Sequence, residues 1–154
     1  MRGGAAGPRR EAERSLLTRF FTPYAEALAD LVDERLSATG RAVLVDLHSY
    51  PVQALPYERH QDARRPPVCA GVAVDHTPVA LAERVSRACC VIGRVVVNEP
   101  VAGSYIPLRH SGRDNRVTSV MLELRRHAYL SDDGGLDPLG ARRISAALVA
   151  ILGT

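Results

Sequence analysis

The 154-residue sequence contains no lysine, only three cysteines and no long run of apolar residues. All 20 of its strongly basic residues are therefore arginines, and they are scattered along the chain without forming a basic block. Such an Arg-for-Lys bias is more typical of genome composition than of nucleic-acid binding, so the net charge of +3 predicts no nucleic-acid partner. No stretch of about 18 apolar residues is present, which predicts that the chain does not span a membrane. The segment after Met1 also lacks the apolar core of a secretion signal.

Cysteine pairs and metal-binding motifs are equally sparse. Cys69, Cys89 and Cys90 form no Cys-x-x-Cys pair, and the last two are adjacent in an apolar helical pattern. We expect all three to be reduced core thiols of a cytoplasmic protein. The patterns His-Glu-x-x-His, His-x-x-Glu and Gly-x-Gly-x-x-Gly are absent, so no single segment identifies a zinc or nucleotide site.

The apolar patterning predicts one α/β domain. Residues 1–14 are rich in Gly, Ala and Arg and predict a disordered tail, which leaves residues 15–154 as the folded domain. Residues 12–21 are either an earlier helical turn or a lead-in to a helix at 23–38, which Gly40 closes. Strands and helices then alternate, with strands predicted at 42–48, 68–74, 91–97 and 117–124 and helices at 77–90 and from 137 onward. The alternation predicts a mixed, mostly parallel sheet with helices on both faces.

The first predicted strand ends in a group of polar residues. Asp46 and His48 interrupt its apolar run, and Pro51 ends the strand at the start of a long loop. Open α/β sheets usually carry their sites at the carboxyl ends of strands. His48 is suited there to bind a metal or act as a base, and the alternative is a hydrogen-bonded histidine with no chemical role. Strand alternation places Asp46 on the same face, where it either orients His48 or pairs with an arginine elsewhere.

Charged residues in two later segments are further candidates. Glu123 interrupts the apolar strand at 117–124, where it either faces solvent or, if buried, makes a good general base because its pKa is raised. The loop at 98–116 contains Arg109, His110, Arg113 and Arg116. Arginine forks bind carboxylates bidentately, and the alternative is an ordinary solvated loop. The remaining histidines, His60, His76 and His127, are predicted to be surface or loop residues.

Three segments together resemble the N-formylglutamate amidohydrolase family, which is related to the zinc carboxypeptidases. The first is the helix from Pro23-Tyr24 and the strand Ala42-Val-Leu-Val-Asp-Leu-His-Ser49, similar to the family's Asp-x-His-Ser strand. The second is Pro67-Val-Cys-Ala-Gly71, similar to a short strand followed by Gly. The third is Asn98-Glu-Pro-Val-Ala-Gly-Ser-Tyr-Ile106 followed by Val120-Met-Leu-Glu-Leu-Arg-Arg-His-Ala-Tyr129, similar to the family's substrate loop and its Leu-Glu-x-x-Arg strand.

The resemblance implies an activity and roles for the candidate residues. It implies zinc-dependent hydrolysis of the amide bond of a small acidic N-acyl amino acid, typically N-formyl-glutamate, in amino-acid catabolism. His48 matches a zinc ligand, with Asp46 as the carboxylate behind it, and Glu123 matches the general base. The residues expected to hold the carboxylate of the substrate are Asn98, Arg109 and Arg113.

The match spans residues 20–152 and corresponds to the C-terminal portion of the family. The family's segment before the first helix, a strand that ends in His-Ser-Gly and a later acidic ligand, is missing. A catalytic zinc takes three protein ligands, and only His48 is matched, unless His76 or His110 substitutes. Two alternatives to an enzyme remain open. One is a non-catalytic module that binds a small acidic ligand or a partner protein through the arginine loop. The other is an inert fragment that forms a homo-oligomer or aggregates through an exposed sheet edge.

Overall fold

The computed structural model describes residues 8–58, 61 and 65–153. The elements in chain order are helix α1 (Pro8–Leu16), a π-helical turn (Leu17–Phe21), helix α2 (Thr22–Thr39), strand β1 (Ala42–Tyr50), strand β2 (Val68–Val72), helix α3 (Val79–Cys89), strand β3 (Val95–Val97), strand β4 (Val117–Arg125), a 3-10 turn (Arg126–Ala128) and helix α4 (Pro138–Leu152). No helix in these ranges is long and apolar enough to cross a membrane.

The four strands form one mixed sheet in the order β1-β4-β2-β3. β1 is parallel to β4 and β2 is parallel to β3, while β2 and β4 are antiparallel. Two of the three pairings are thus parallel, which confirms the mixed, mostly parallel sheet. β1 lies at one edge, so one side of this nine-residue strand has no strand partner in the part of the chain that the structure describes.

Helices cover both faces of the sheet, as predicted, because alternate strand residues present apolar side chains to opposite sides. On one face, α3 and α4 pack on β2 and β4 through the buried residues Val68, Ala70, Val85, Cys89, Val120, Leu122, Leu124, Ala147 and Ile151. On the other face, α2 packs on the starts of β1 and β4 through Val32, Leu36, Ala42, Ile106 and Val117. His48 and Glu123 lie on this second face, because each is an even number of residues from Ala42 or Val117 on its strand.

Close contacts hold the loop after β3 against this second face. A Cβ added to Gly71 of β2 would lie 2.1 Å from the carbonyl oxygen of Gly103, so the loop passes directly over that strand. Ser119 of β4 donates a hydrogen bond to the carbonyl of Tyr105 at 2.9 Å. The loop therefore covers the middle of the sheet and leaves the ends of β1 and β4 to the residues around His48.

The helix and strand bounds differ from the predictions in two places. α1 begins at Pro8, so the disordered tail predicted for residues 1–14 is wrong for 8–14, and residues 1–7 lie outside the described residues. Ala, Glu and Arg favour a helix, and an Arg9–Glu13 pair at 3.2 Å adds to it. β3 begins only at Val95 instead of residue 91, because the chain turns at Gly93, which has a φ of 155°.

Two side-chain predictions are also wrong. Cys90 is exposed and is not a core thiol, because it follows the last residue of α3, whereas Cys69 and Cys89 are buried as expected. His76 is buried instead of lying on the surface. Its Nδ1 lies 2.8 Å from the carbonyl oxygen of Val117 and its Nε2 accepts a hydrogen bond from Gly112 N–H, so two backbone groups hold the ring. His127 is exposed as predicted, and His60 lies outside the described residues.

Candidate active site

His48, Glu123 and Cys69 form one row across three neighbouring strands. In the register of the sheet, His48 of β1 lies beside Glu123 of β4, and Glu123 lies beside Cys69 of β2. Neighbouring strands are about 4.8 Å apart, so these side chains leave the same face at contact spacing. The structure thus brings the histidine and the carboxylate singled out in the sequence to adjacent positions near the carboxyl ends of β1 and β4.

Asp46 contacts the imidazole of His48. Its Oδ1 lies 2.7 Å from His48 Nε2, and both side chains are partly exposed. Of the two alternatives left open by the sequence, the geometry has Asp46 beside His48 and not on an arginine. In the neutral ring, Nε2–H donates to the carboxylate and Nδ1 keeps its lone pair. This is the arrangement by which a carboxylate fixes the tautomer of a metal-binding histidine.

Glu123 carries a buried oxygen without a partner. Its Oε2 is buried and has no hydrogen-bond partner in the described part of the chain. Burial raises the pKa of Glu123, the charge of His48 opposes that rise and the charge of Asp46 adds to it. A carboxyl group with a raised pKa exchanges protons more readily near neutral pH than an ordinary surface glutamate does.

A second layer of residues lies directly beyond this row. Tyr50 of β1 is beside Arg125 of β4, and the Tyr50 ring has the Arg65 guanidinium carbon 4.5 Å from its centre. Arg125 donates from Nη1 to the carbonyl of Arg65 at 3.1 Å and from Nη2 to the carbonyl of Val52 at 2.9 Å. Arg65 in turn donates to Glu58 Oε2 at 2.6 Å. Burial of the Tyr50 hydroxyl, which donates to the Pro66 carbonyl, raises its pKa to about 12.

The arginines predicted to clamp a substrate carboxylate lie elsewhere. Arg109 donates to two carboxylates of α2, Asp30 at 2.9 Å and Asp33. Both Arg109 and the exposed Arg113 belong to the loop that leads into the start of β4 at Val117. Glu123 lies further along that strand, about 20 Å from its start at 3.3 Å per residue. The structure does not bring these arginines to the row of His48 and Glu123, because acidic residues of α2 provide nearer partners.

Asn98, the third residue predicted to hold substrate, supports the loop over the sheet. Its side-chain Oδ1 accepts hydrogen bonds from Val72 N–H at 2.8 Å and from Gly103 N–H at 3.3 Å. Asn98 also has a positive φ of 57°, a conformation that Asn tolerates better than most residues. The carbonyl oxygen of its side chain is therefore engaged with the backbone of this chain.

Neither substitute metal ligand reaches His48. Both ring nitrogens of His76 contact the backbone near the start of β4. His110 is buried at the same end, with Nε2 3.1 Å from Asp33 Oδ1 and Nδ1 4.0 Å from Asp114 Oδ2. Within residues 8–58, 61 and 65–153, no group of three or more His, Cys, Asp or Glu side chains is placed to hold a metal ion. The described residues therefore fit one zinc ligand, its orienting carboxylate and a neighbouring base, and they do not fit a complete zinc site.

Comparison with known proteins gives one family. The sequence model of the N-formylglutamate amidohydrolase family matches residues 4–130. The crystal structure of N-formylglutamate amidohydrolase from Ralstonia eutropha JMP134 is similar, with 22% sequence identity and a TM-score of 0.71. That match covers 90% of this chain and 52% of the other, so the chain spans about half the length of that relative. No curated protein sequence matches the chain.

The fold is an α/β domain that presents a polar row at the carboxyl ends of two parallel strands, and the solved structure shares this fold. Because the family model covers most of its residues, the chain belongs to the N-formylglutamate amidohydrolase family. The resemblance identified from the sequence is thereby confirmed.

Sequence reasoning did not single out Tyr50, Arg65 and Arg125 as site residues. Two of them carried a usable signal, because Tyr50 follows His48 by two residues and Arg125 follows Glu123 by two, which places each pair on one face. Arg65 lies in the loop between β1 and β2, where no periodic pattern predicts which side chain turns inward.

Proposed function

We propose that the chain provides the general base and one metal ligand of a zinc-dependent amidohydrolase that cleaves N-acyl amino acids, with N-formyl-glutamate as the first candidate. One observation carries the proposal: the unpartnered, buried Oε2 of Glu123 beside His48 on the neighbouring strand. Membership of the family supports the choice of reaction. The name of the solved relative supports the choice of substrate.

Glu123 is the proton carrier of the proposed reaction. Hydrolysis adds a water oxygen to the amide carbonyl carbon and breaks the carbon–nitrogen bond. The Glu123 carboxylate takes a proton from the attacking water and passes it to the departing nitrogen, which leaves as the amine of the amino acid while the acyl group leaves as formate. A raised pKa suits both transfers, because the protonated acid that forms in the first step is then less costly.

His48 and Asp46 form the metal-binding side of the proposal. Nδ1 of His48 is the nitrogen that would hold zinc, while Asp46 keeps the ring oriented through Nε2–H. When bound, zinc lowers the pKa of a coordinated water toward about 7 and polarises the amide carbonyl. The other ligands of the ion would come from groups outside the described residues.

Zinc content and formate release test the proposal together. We expect the purified protein to bind zinc and to release formate from N-formyl-glutamate in a zinc-dependent manner. His48→Ala is expected to lose both properties, whereas His127→Ala, a change at an exposed histidine, should retain them. Zinc binding that is equal in the two variants, or no formate release from the zinc-loaded wild type, would overturn the proposal. Thermal stabilisation by N-formyl-glutamate without turnover would indicate a binding module instead.

A further inference from the structure

Arg65 is a buried guanidinium with most of its donors unused. Its side chain is 3% exposed, and only Nη2 has an acidic partner, the Glu58 carboxylate at 2.6 Å. Nε and Nη1 are buried without a hydrogen-bond partner among the described residues. Arginine carries five N–H donors and stays charged, so a buried arginine normally fills those positions with acceptors. The unused donors indicate that an acceptor belongs beside them.

The position of Arg65 relates it to the proposed reaction site. Its guanidinium lies over Tyr50, and Tyr50 follows His48 by two residues on the same face of β1. Its backbone carbonyl accepts from Arg125, which follows Glu123 by two residues on β4. Arg125 Nε is also buried and without a partner in the described ranges. Two guanidinium groups with unused donors therefore lie just beyond the His48–Glu123 pair.

We propose that Arg65 recognises the carboxylate of the N-acyl amino acid, the task that the sequence assigned to Arg109 and Arg113. This inference rests on the proposed function and deepens it by naming the residue that selects an acidic substrate. An arginine fork matches a carboxylate with two parallel hydrogen bonds, and stacking on Tyr50 fixes the plane of the fork. A carboxylate held there leaves the acyl amide of the same molecule toward Glu123.

Competing explanations for Arg65 make different demands. If it served only as the counter-ion of Glu58, one hydrogen bond would meet that need, and the unused Nε and Nη1 would have no purpose. Arg109 already donates to Asp30 and Asp33, so a substrate there would compete with two carboxylates of the protein itself. Arg65 faces one such competitor.

Calorimetric binding of N-formyl-glutamate and of its neutral diamide tests the proposal without requiring turnover. The wild type is expected to bind the acid at least tenfold more tightly than the diamide. Arg65→Met is expected to remove that preference, Arg65→Lys to keep part of it, and Arg109→Met to leave it unchanged. An unchanged preference in a folded Arg65→Met variant, or equal binding of acid and diamide by the wild type, would overturn the proposal.

A variant that keeps Arg65 guards against misfolding of the Arg65 variants. Glu58→Gln removes the competing carboxylate from Nη2, so we expect it to bind the acid severalfold more tightly and the diamide no more tightly. An affinity for the acid that is unchanged or lower would contradict the proposal. Carboxylate selectivity through Arg65 without hydrolysis would refute the proposed function alone, whereas hydrolysis with an unaltered KM in Arg65→Met would refute this inference alone.

Discussion

Replacing Glu123 by Gln is expected to stabilise the protein at neutral pH. Glu123 carries a buried oxygen with no partner, and burial raises its pKa above the ordinary value. A raised pKa in the folded state means that the neutral acid is favoured there. The contribution of this group to stability is therefore fully present below its unfolded pKa and is lost as the pH rises through its folded pKa. Glutamine has nearly the same shape and stays neutral, so it avoids that loss.

The size of the gain follows from the unpaired oxygen. A buried polar atom without a partner costs about 1–3 kcal/mol, and Gln retains a neutral amide that recovers only part of this. We expect Glu123→Gln to raise the free energy of unfolding by about 1 kcal/mol at pH 7, or about 2–4 °C in Tm for a chain of this length. Near pH 4, where the native carboxyl is largely protonated, the gain should approach zero.

Thermal unfolding of both proteins between pH 4 and pH 8 provides the assay. Glu34→Gln, at an exposed position of α2, is the matched control and should change stability by less than about 0.5 kcal/mol. A Glu123→Gln variant that is less stable than wild type at pH 7 would refute the reasoning. A gain of equal size at pH 4 and pH 7 would do so as well, because it would not come from the ionised carboxylate.

Three further predictions concern the fold and its surfaces. Leu122→Ala, at a position 2% exposed in the core, should cost about 2–5 kcal/mol in chemical denaturation, and the same change at the exposed Leu139 should cost less than about 0.5 kcal/mol. Ellman's reagent should modify Cys90 rapidly in the native protein and the two buried thiols only on unfolding, since burial raises the pKa of both; two or more rapid equivalents would contradict the fold. The unpaired β1 edge should let copies of the chain associate, so ultracentrifugation should find larger species that Leu47→Lys reduces and that Val74→Lys, at a fully exposed position, does not. A wild-type chain that is monomeric at every concentration would count against that last expectation.

The strands that carry the candidate site followed from local patterns. Alternation of apolar and polar residues placed Asp46 and His48 on one face, and the observed contact between them agrees. The pairing of β1 with β4 cannot be read from alternation, because it depends on which strands become neighbours after two helices and a long loop have packed. Their adjacency in the structure is what makes Glu123 a neighbour of His48.

Loop residues were the least predictable part of the site. Arg109 and Arg65 look equivalent in the sequence, since each lies in a loop rich in charge. Their environments differ because Asp30 and Asp33 of α2 face the first, whereas the Tyr50 ring and Glu58 face the second. Such partners come from distant segments, and loop composition holds no record of them.

Formate release by Glu123→Gln, compared with the zinc-loaded wild type, tests the central claim most directly. General-base catalysis is worth about 10²–10⁴-fold in rate. We therefore predict that kcat/KM for N-formyl-glutamate falls by that factor while the variant remains folded and retains its zinc. A folded, zinc-loaded Glu123→Gln protein that releases formate at the wild-type rate would contradict the assignment of Glu123 as the base.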